Sequence, residues 1–469
     1  VTADATSLAA GIAAGRLTAV EAMQQSLAAA DKWRDLGAVI RIDAERGLKA
    51  AAAIDALHAV ARSRMAFCGV PTLAKDLGGP FAGFPVRAGS AVLPEVAADA
   101  APDSELAERF RAAGFCLFGL TTTPEFGLAL ASEPAIGPIC RNPLDMTLSP
   151  GGSSGGAAAA VAAGIVAIAH ATDAGGSIRV PAATCGLVGL KPSRGAMPGG
   201  PNFGNHLGGM ASELAIARTV RDIATAFAVL SGDVKGPYPS TGPVSVIDRP
   251  WRIGIVAETG STRPTDPARS RAVEEAGRAL AADRHSVTAL PWSALADPVE
   301  ASNRAFVDIV CANLARLAAL PGIDISRAER ITRAAAEKGA LLPAVTLWQT
   351  LSDMVLVSRD LWRLFETVDC IVLPMLARAP LSVGSFPFDH DDIALHFERM
   401  AAFAPTAALA NASGFPALTL PFGVDDDGLP LPVQLIAPMG REPLLLAVAA
   451  RLEAEGRWQH RFPIAGAGA

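Results

Sequence analysis

Residues 142–209 are dense in glycine, serine and proline, yet short apolar runs separate the clusters. A low-complexity linker would lack those runs, whereas a chain that alternates buried elements with tight loops has both. The alternation extends in both directions. Residues 65–73 predict a strand entering a loop, 105–113 a helix and 116–120 a short strand. WRIGIV (251–256) predicts a buried strand, followed by a helix over 267–281, and 296–366 is largely helical. IVLP (371–374), ALTLP (417–421) and VQLI (433–436) predict strands, and 444–454 a terminal helix. Nearer the start, 7–30 has helical spacing and 44–61 predicts one helix with Gly47 as its only breaker. This order argues for an α/β fold, a central sheet covered by helices on both faces.

The chain has 469 residues, long for one domain but within reach of a large α/β unit built on one continuous sheet. A net charge of −6 and a single tyrosine, Tyr238, leave neither a basic footprint nor an aromatic platform, so no nucleic-acid partner is expected. The six cysteines (Cys68, Cys116, Cys140, Cys185, Cys311 and Cys370) mostly sit in apolar runs without CxxC spacing, and are expected to be buried free thiols. The longest low-polarity stretch, 155–169, is too short and too glycine-interrupted to span a membrane. No basic-then-apolar leader pattern is present, and a cytoplasmic enzyme with no membrane partner is expected.

Three segments carry candidate chemistry: GVPTLAKD (69–76), SPGGSSGG (149–156) and DAGGSIRVP (173–181). Glycines beside a serine allow close backbone approach and unusual dihedrals. The run Ala174, Gly175, Gly176, Ser177 can therefore aim several N–H groups at one point beside a hydroxyl, as an oxyanion hole requires. Ser177 as a nucleophile needs a base. Lys75 is a candidate, because burial depresses a lysine pKa and frees the neutral amine. Singly, each motif has an ordinary explanation: a GGS is most often a turn, and a lysine most often a solvated surface residue. GGSSGG also lacks the order and the lysine of a P-loop.

The ordered combination resembles the amidase-signature family. The matching stretches are VPTLAKD, GGSSGG, and DAGGSIRVPA continuing into CGLVGLKPSRG (185–195), with the interval from Ser153 to Ser177 also in agreement. The similarity is strongest over 65–230 and returns in GFPALTLPFG (414–423) and GLPLPVQLI (428–436). It is weak between about 235 and 405. Within the family, the texture of 151–195 is most similar to stand-alone amidases, 6-aminohexanoate cyclic-dimer hydrolases among them. The resemblance implies one amidase domain over 1–469 with a large mixed sheet: a signature core at about 65–230, a variable and substrate-facing region at about 235–405, and the rest of the core over 406–469. It implies that Ser177 attacks the amide carbonyl and that Ser153, preceded by a cis peptide bond, relays a proton to Lys75. It places the oxyanion hole on backbone N–H groups of Ala174 to Ser177. Ser154, Asp173 and Arg179 match motif positions and are expected to support the loops. Ala174 departs from many relatives, which is harmless if only its backbone counts. No cofactor is implied, and by analogy alone a homodimer is an option.

Rival readings differ at identifiable places. His170, seven residues before Ser177, is the histidine a Ser–His–Asp hydrolase would use, but no G-x-S-x-G elbow is present. The remaining histidines show no HExxH or other metal spacing. The glutaminase subunit of glutamyl-tRNA(Gln) amidotransferase shares the signature and releases ammonia from glutamine beside partner subunits. A catalytically dead scaffold would have no need of all three candidate residues. The 235–405 region shows no glutamine-recognition pattern and offers Phe306, Val310, Leu314, Trp348, Leu351 and Met354. Side chains at such spacing are more often core than pocket, so they favour a small hydrophobic or aryl amide only slightly.

Overall fold

The computed structural model describes residues 3–94, 96–97, 101–199, 206–235, 239–246 and 249–467. Tyr238 lies outside the described residues. The strands are β1 (Val39–Ile42), β2 (Pro71–Lys75), β3 (Cys116–Thr121), β4 (Ile168–Asp173), β5 (Val188–Lys191), β6 (Ser212–Ala217), β7 (Arg252–Ile255), β8 (Ser286–Ala289), β9 (Cys370–Pro374), β10 (Ala417–Val424) and β11 (Pro430–Ile436). Eight form one sheet in the order β4-β6-β5-β10-β11-β9-β7-β8. β7 pairs in parallel with β8 and β9, while the other ladders of this sheet are antiparallel. The sheet is therefore mixed.

Alternation along single strands shows why both faces must be covered. In β9, Cys370 and Val372 join one hydrophobic cluster while Ile371 and Leu373 join another. In β11, Val433 and Leu435 face the first cluster and Ile436 the second. With a side-chain period of two, each strand is apolar on both sides, and exposing either face would forfeit about 1.5–3 kcal/mol per large side chain. Helices Pro267–Ala282 and Glu442–Glu453 pack along the sheet, as does the short helix Arg179–Thr184.

The expected large mixed central sheet is present, and among the described residues a smaller sheet accompanies it. β1, β3 and β2 make a separate three-stranded sheet, yet β2 runs beside β4. Side chains replace the ladder there: Thr72 Oγ1 donates to the Ile168 carbonyl at 2.9 Å, and the Lys75 N–H donates to His170 Nδ1 at 3.2 Å. The helix expected over 44–61 is two, Ala44–Asp55 and Ala59–Ser63. It breaks where the His58 ring takes the Ala61 N–H at 3.1 Å as an N-cap, so Gly47 is not the breaker. Gly47 lies inside the first helix, where a side chain would strike Phe118. The 65–73 stretch becomes a strand only from Pro71 onward. All six cysteines are free and buried. Among the described residues no single helix is long and apolar enough to cross a membrane.

Candidate active site

Every residue of β2 is buried, and the strand ends on Lys75, which has no exposed surface. A buried ammonium is costly, so desolvation favours the neutral amine. Burial pushes the Lys75 pKa down to about 7, against the opposing pull of Asp173, Glu213 and Asp76. Its Nζ meets two hydroxyls, Ser153 Oγ at 2.7 Å and Thr172 Oγ1 at 2.8 Å. Thr172, on β4, was not singled out in the sequence, since a lone strand threonine carries no motif signal.

Ser153 sits in the GGSSGG loop, which feeds directly into the fully buried helix Gly155–Ala162. The Gly152–Ser153 peptide is cis. Gly152 is required by space, because a Cβ there would lie 2.5–2.7 Å from backbone atoms of Ala129 and Ala131. Ser132 holds the loop from outside: its hydroxyl donates to the Ser153 carbonyl at 3.1 Å and accepts the Gly155 N–H at 3.0 Å. Ser154 stitches this loop to the next one. Its Oγ donates to the Thr172 carbonyl at 3.1 Å, and its N–H reaches the Ser177 carbonyl at 3.2 Å. The motifs carrying Lys75, Ser153 and Ser177 are thus brought together, although they come from a strand and two separate loops.

The Ser177 loop is organised by Asp173 at the end of β4. Its carboxylate accepts from the Gly176 N–H at 2.8 Å, the Ile178 N–H at 3.1 Å and the Arg179 Nε at 2.9 Å. Burial alone would raise the Asp173 pKa, but the charge and hydrogen bonds of Arg179, with the Asn411 amide, hold it well below the usual carboxylate range. Arg179 is itself fully buried and donates onward to Gln434 on β11 at 2.6 Å, and to Asn411 at 2.7 Å. Asn411 returns a bond to Asp173 Oδ1 at 2.9 Å. Asn411 and Gln434 lie far along the chain from the motif they brace, and nothing local marked them. One expected oxyanion donor is otherwise engaged: the Gly176 N–H belongs to Asp173, leaving those of Ala174, Gly175 and Ser177. Gly176 adopts φ +112°, which favours glycine.

His170 is a buried strand residue with both ring nitrogens occupied. Nδ1 accepts from the Lys75 N–H, so Nε2 carries the proton and donates to Glu213 at 2.9 Å. It braces β2 and is not free to serve Ser177.

A cavity of about 350 Å³ opens against Gly175, a size suited to a small organic ligand. Phe306 and Val307 of helix Ala296–Ala318 form one wall, and Ile393, Phe397 and Met400 of helix Ile393–Phe403 another. Arg263 at the cavity binds Glu398, at 2.8 and 2.9 Å, and Glu300. Of the apolar residues flagged in 235–405, only Phe306 lines this cavity. Val310, Leu314 and Met354 are core, whereas Trp348 is 73% exposed.

Glycine-rich loops presenting serines beside a buried lysine, next to a cavity on a mixed α/β scaffold, are the equipment of a hydrolase. Residues 18–446 match the family model described as Amidase. The chain is 34% identical over 431 residues to a 6-aminohexanoate-cyclic-dimer hydrolase of Pseudomonas sp. (strain NK87), covering 85% of each chain. It is 33% identical over 422 residues to a putative amidase of Synechocystis sp., covering 85% of this chain and 77% of the relative. A solved structure of 6-aminohexanoate cyclic dimer hydrolase complexed with substrate superposes with a TM-score of 0.88 at 30% identity over 98% of both chains. The chain belongs to the amidase-signature family. It is an amidohydrolase, acting on carbon–nitrogen amide bonds.

Proposed function

We propose that this amidohydrolase works through an acyl-enzyme on Ser177, with Ser153 as the proton relay and Lys75 as the base. The observation that carries the reading is the fully buried Lys75 Nζ, 2.7 Å from Ser153 Oγ and poised near neutrality. In the forward step, neutral Lys75 accepts the Ser153 proton while Ser153 accepts that of Ser177. The Ser177 oxygen then attacks the amide carbon. Negative charge moves onto the carbonyl oxygen, where the N–H groups of Ala174, Gly175 and Ser177 are the candidate donors. Protonated Lys75 returns its proton through Ser153 to the leaving nitrogen, the C–N bond breaks, and water releases the acyl group by the same relay.

The substrate is a small, uncharged amide with an apolar or aryl portion, bound by this chain without partner subunits. Support comes from the Phe306, Val307, Ile393 and Phe397 walls, from charged liners that balance (Arg263, Arg304 and Lys338 against Glu300, Asp308 and Glu398), and from relatives whose names specify a 6-aminohexanoate cyclic dimer. Buried free thiols support a reducing, cytoplasmic setting. Acid quenching during turnover, followed by peptide mass analysis, tests the mechanism. The Ser177 peptide should carry the acyl group, and an acyl group on any other residue would refute the assignment.

A further inference from the structure

Lys75 is held at two points, its amine and its main chain, and one carboxylate stands behind both. Glu213 lies on β6 directly opposite Thr172 of β4, the threonine whose hydroxyl meets Lys75 Nζ at 2.8 Å. Directly opposed residues of an antiparallel pair share a face, with Cβ atoms about 5 Å apart, so the carboxylate stands on the Lys75 side of the sheet. The loop that follows Lys75 is pressed onto this pair. A Cβ on Gly78 would fall 2.8 Å from Glu213 Oε2 and 2.8 Å from Thr172 Cγ2.

The main-chain hold runs through His170. Glu213 Oε2 accepts from His170 Nε2 at 2.9 Å and from the Gly79 N–H at 3.3 Å. His170 Nδ1 accepts the Lys75 N–H at 3.2 Å, and Phe81 and Phe110 pack edge-on against the ring, with centroids 5.0 and 5.8 Å away. The carboxylate thereby fixes the tautomer of the ring, and the ring fixes the end of β2 from which the amine projects.

Three carboxylates act on the Lys75 amine: Asp173, Glu213 and Asp76. Asp173 is paired with Arg179. Asp76 accepts the Arg87 and Gly89 N–H groups at 2.6 and 3.0 Å, and the Arg87 charge also acts on it. The hydrogen bonds that Glu213 accepts come instead from a neutral ring and a backbone N–H, which leave its charge in place. His206 and Arg194 share with it the lining of a small cavity of about 40 Å³, where Arg194 donates to the Gly209 and Ala412 carbonyls at 2.7 and 2.9 Å.

We propose that Glu213 is a positioning residue for amide hydrolysis: through His170 it fixes the main chain of Lys75, and its charge opposes the desolvation that favours the neutral amine. This rests on Lys75 being the base of the reaction. A negative charge near the amine stabilises the ammonium, so Lys75 keeps enough proton affinity to take a proton from Ser153. Without that charge the amine becomes a weaker base that stays neutral to lower pH.

The test follows kcat/KM against pH with 4-nitroacetanilide as substrate. Glu213→Gln keeps an acceptor for His170 and removes the charge. Its inflection should fall below the wild-type value near 7, and the ratio of kcat/KM at pH 6 to that at pH 9 should rise about two- to threefold, as a shift of roughly half a unit gives. Glu213→Asp keeps the charge on a shorter arm, so it should lose rate at every pH and leave that ratio at its wild-type value. A purely structural lesion lowers the rate at both pH values alike. An unchanged or lower ratio in Glu213→Gln overturns the proposal, and so does an equal rise in Glu213→Asp. Nitrogen-15 spectra of histidine-labelled wild-type enzyme, with His170 assigned by its contacts to Phe81 and Phe110, keep the proposal testable if the glutamine variant does not fold. His170 should stay neutral with its proton on Nε2 from pH 6 to pH 9; a ring that gains a second proton in that range would cancel the Glu213 charge and overturn the proposal. A wild-type profile flat through neutrality would overturn both this proposal and the base role of Lys75, whereas a wild-type inflection that Glu213→Gln leaves in place overturns this proposal alone.

Discussion

Lys75 Nζ donates to Ser153 Oγ at 2.7 Å inside a site closed to solvent. The amine arrives on the last residue of β2 and the hydroxyl on a loop more than seventy residues later. What joins them is the packing of β2 against β4, which also brings Thr172 Oγ1 to the same amine.

The first prediction concerns pH. Burial lowers the Lys75 pKa to about 7, and only the neutral amine accepts a proton. The value of kcat/KM should therefore rise with pH through an inflection near 7 and level off above it. Lys75→Ala should abolish that limb and most of the rate. Chelators should leave the rate unchanged, because the base is a side chain. A wild-type profile flat through neutrality would contradict the role of Lys75.

Ser153 and Ser154 should separate cleanly. Ser153→Ala removes the hydroxyl that Lys75 Nζ meets and, by the proposed relay, should cost roughly 10²–10⁴-fold in kcat. Ser154→Ala removes the bond donated to the Thr172 carbonyl and the one accepted from the Thr172 N–H, each worth about 1 kcal/mol of stability. Paired kinetics and denaturant titrations check this. Small and equal kinetic losses in both variants would mean that the relay lies elsewhere.

Asp173 and Arg179 should behave as a structural unit. Both are fully buried and joined at 2.9 Å, so Arg179→Met, which strands the carboxylate, should cost about 3–5 kcal/mol. Asp173 has a folded pKa depressed below its unfolded value. The stability it contributes is fully present above about pH 4, the unfolded value, and is lost as pH falls toward the lower folded value. Urea titrations of both proteins across the acid range should show a weaker pH dependence in Asp173→Asn.

Much of this was legible in the sequence, and what was not has a physical explanation. The strands at 371–374, 417–421 and 433–436 announced themselves because each is a short, mostly apolar run. Lys75, Ser153 and Ser177 stood out because glycine crowding around serine is unusual. Asn411, Gln434 and Ser132 did not, because each is an ordinary polar residue whose meaning appears only when distant segments meet. Phe306 and Val310 sit on one helix with similar spacing, and only tertiary packing decides that the first lines the cavity and the second is core. The engagement of the Gly176 N–H by Asp173 was hidden for a related reason. The turn that makes the loop also aims that N–H at Asp173.

Substrate choice yields a further expectation. The isolated chain, with no added subunit, should hydrolyse hydrophobic or aryl amides with higher kcat/KM than glutamine, because Phe306, Val307, Ile393, Phe397 and Met400 line the cavity. Activity that appeared only with partner subunits and tRNA would overturn the stand-alone reading.

The most direct test of the central claim is covalent labelling. Ser177 is slightly accessible, at 8% exposure, while Ser153 is at 2%. A fluorophosphonate should therefore modify the wild-type chain once, at the Ser177 peptide, and abolish turnover in proportion to labelling. Ser177→Ala should fold to the same melting temperature, remain unlabelled and lose activity. A mutant that still takes up the probe, or that still hydrolyses amides at the wild-type rate, would contradict the assignment of Ser177 as the nucleophile.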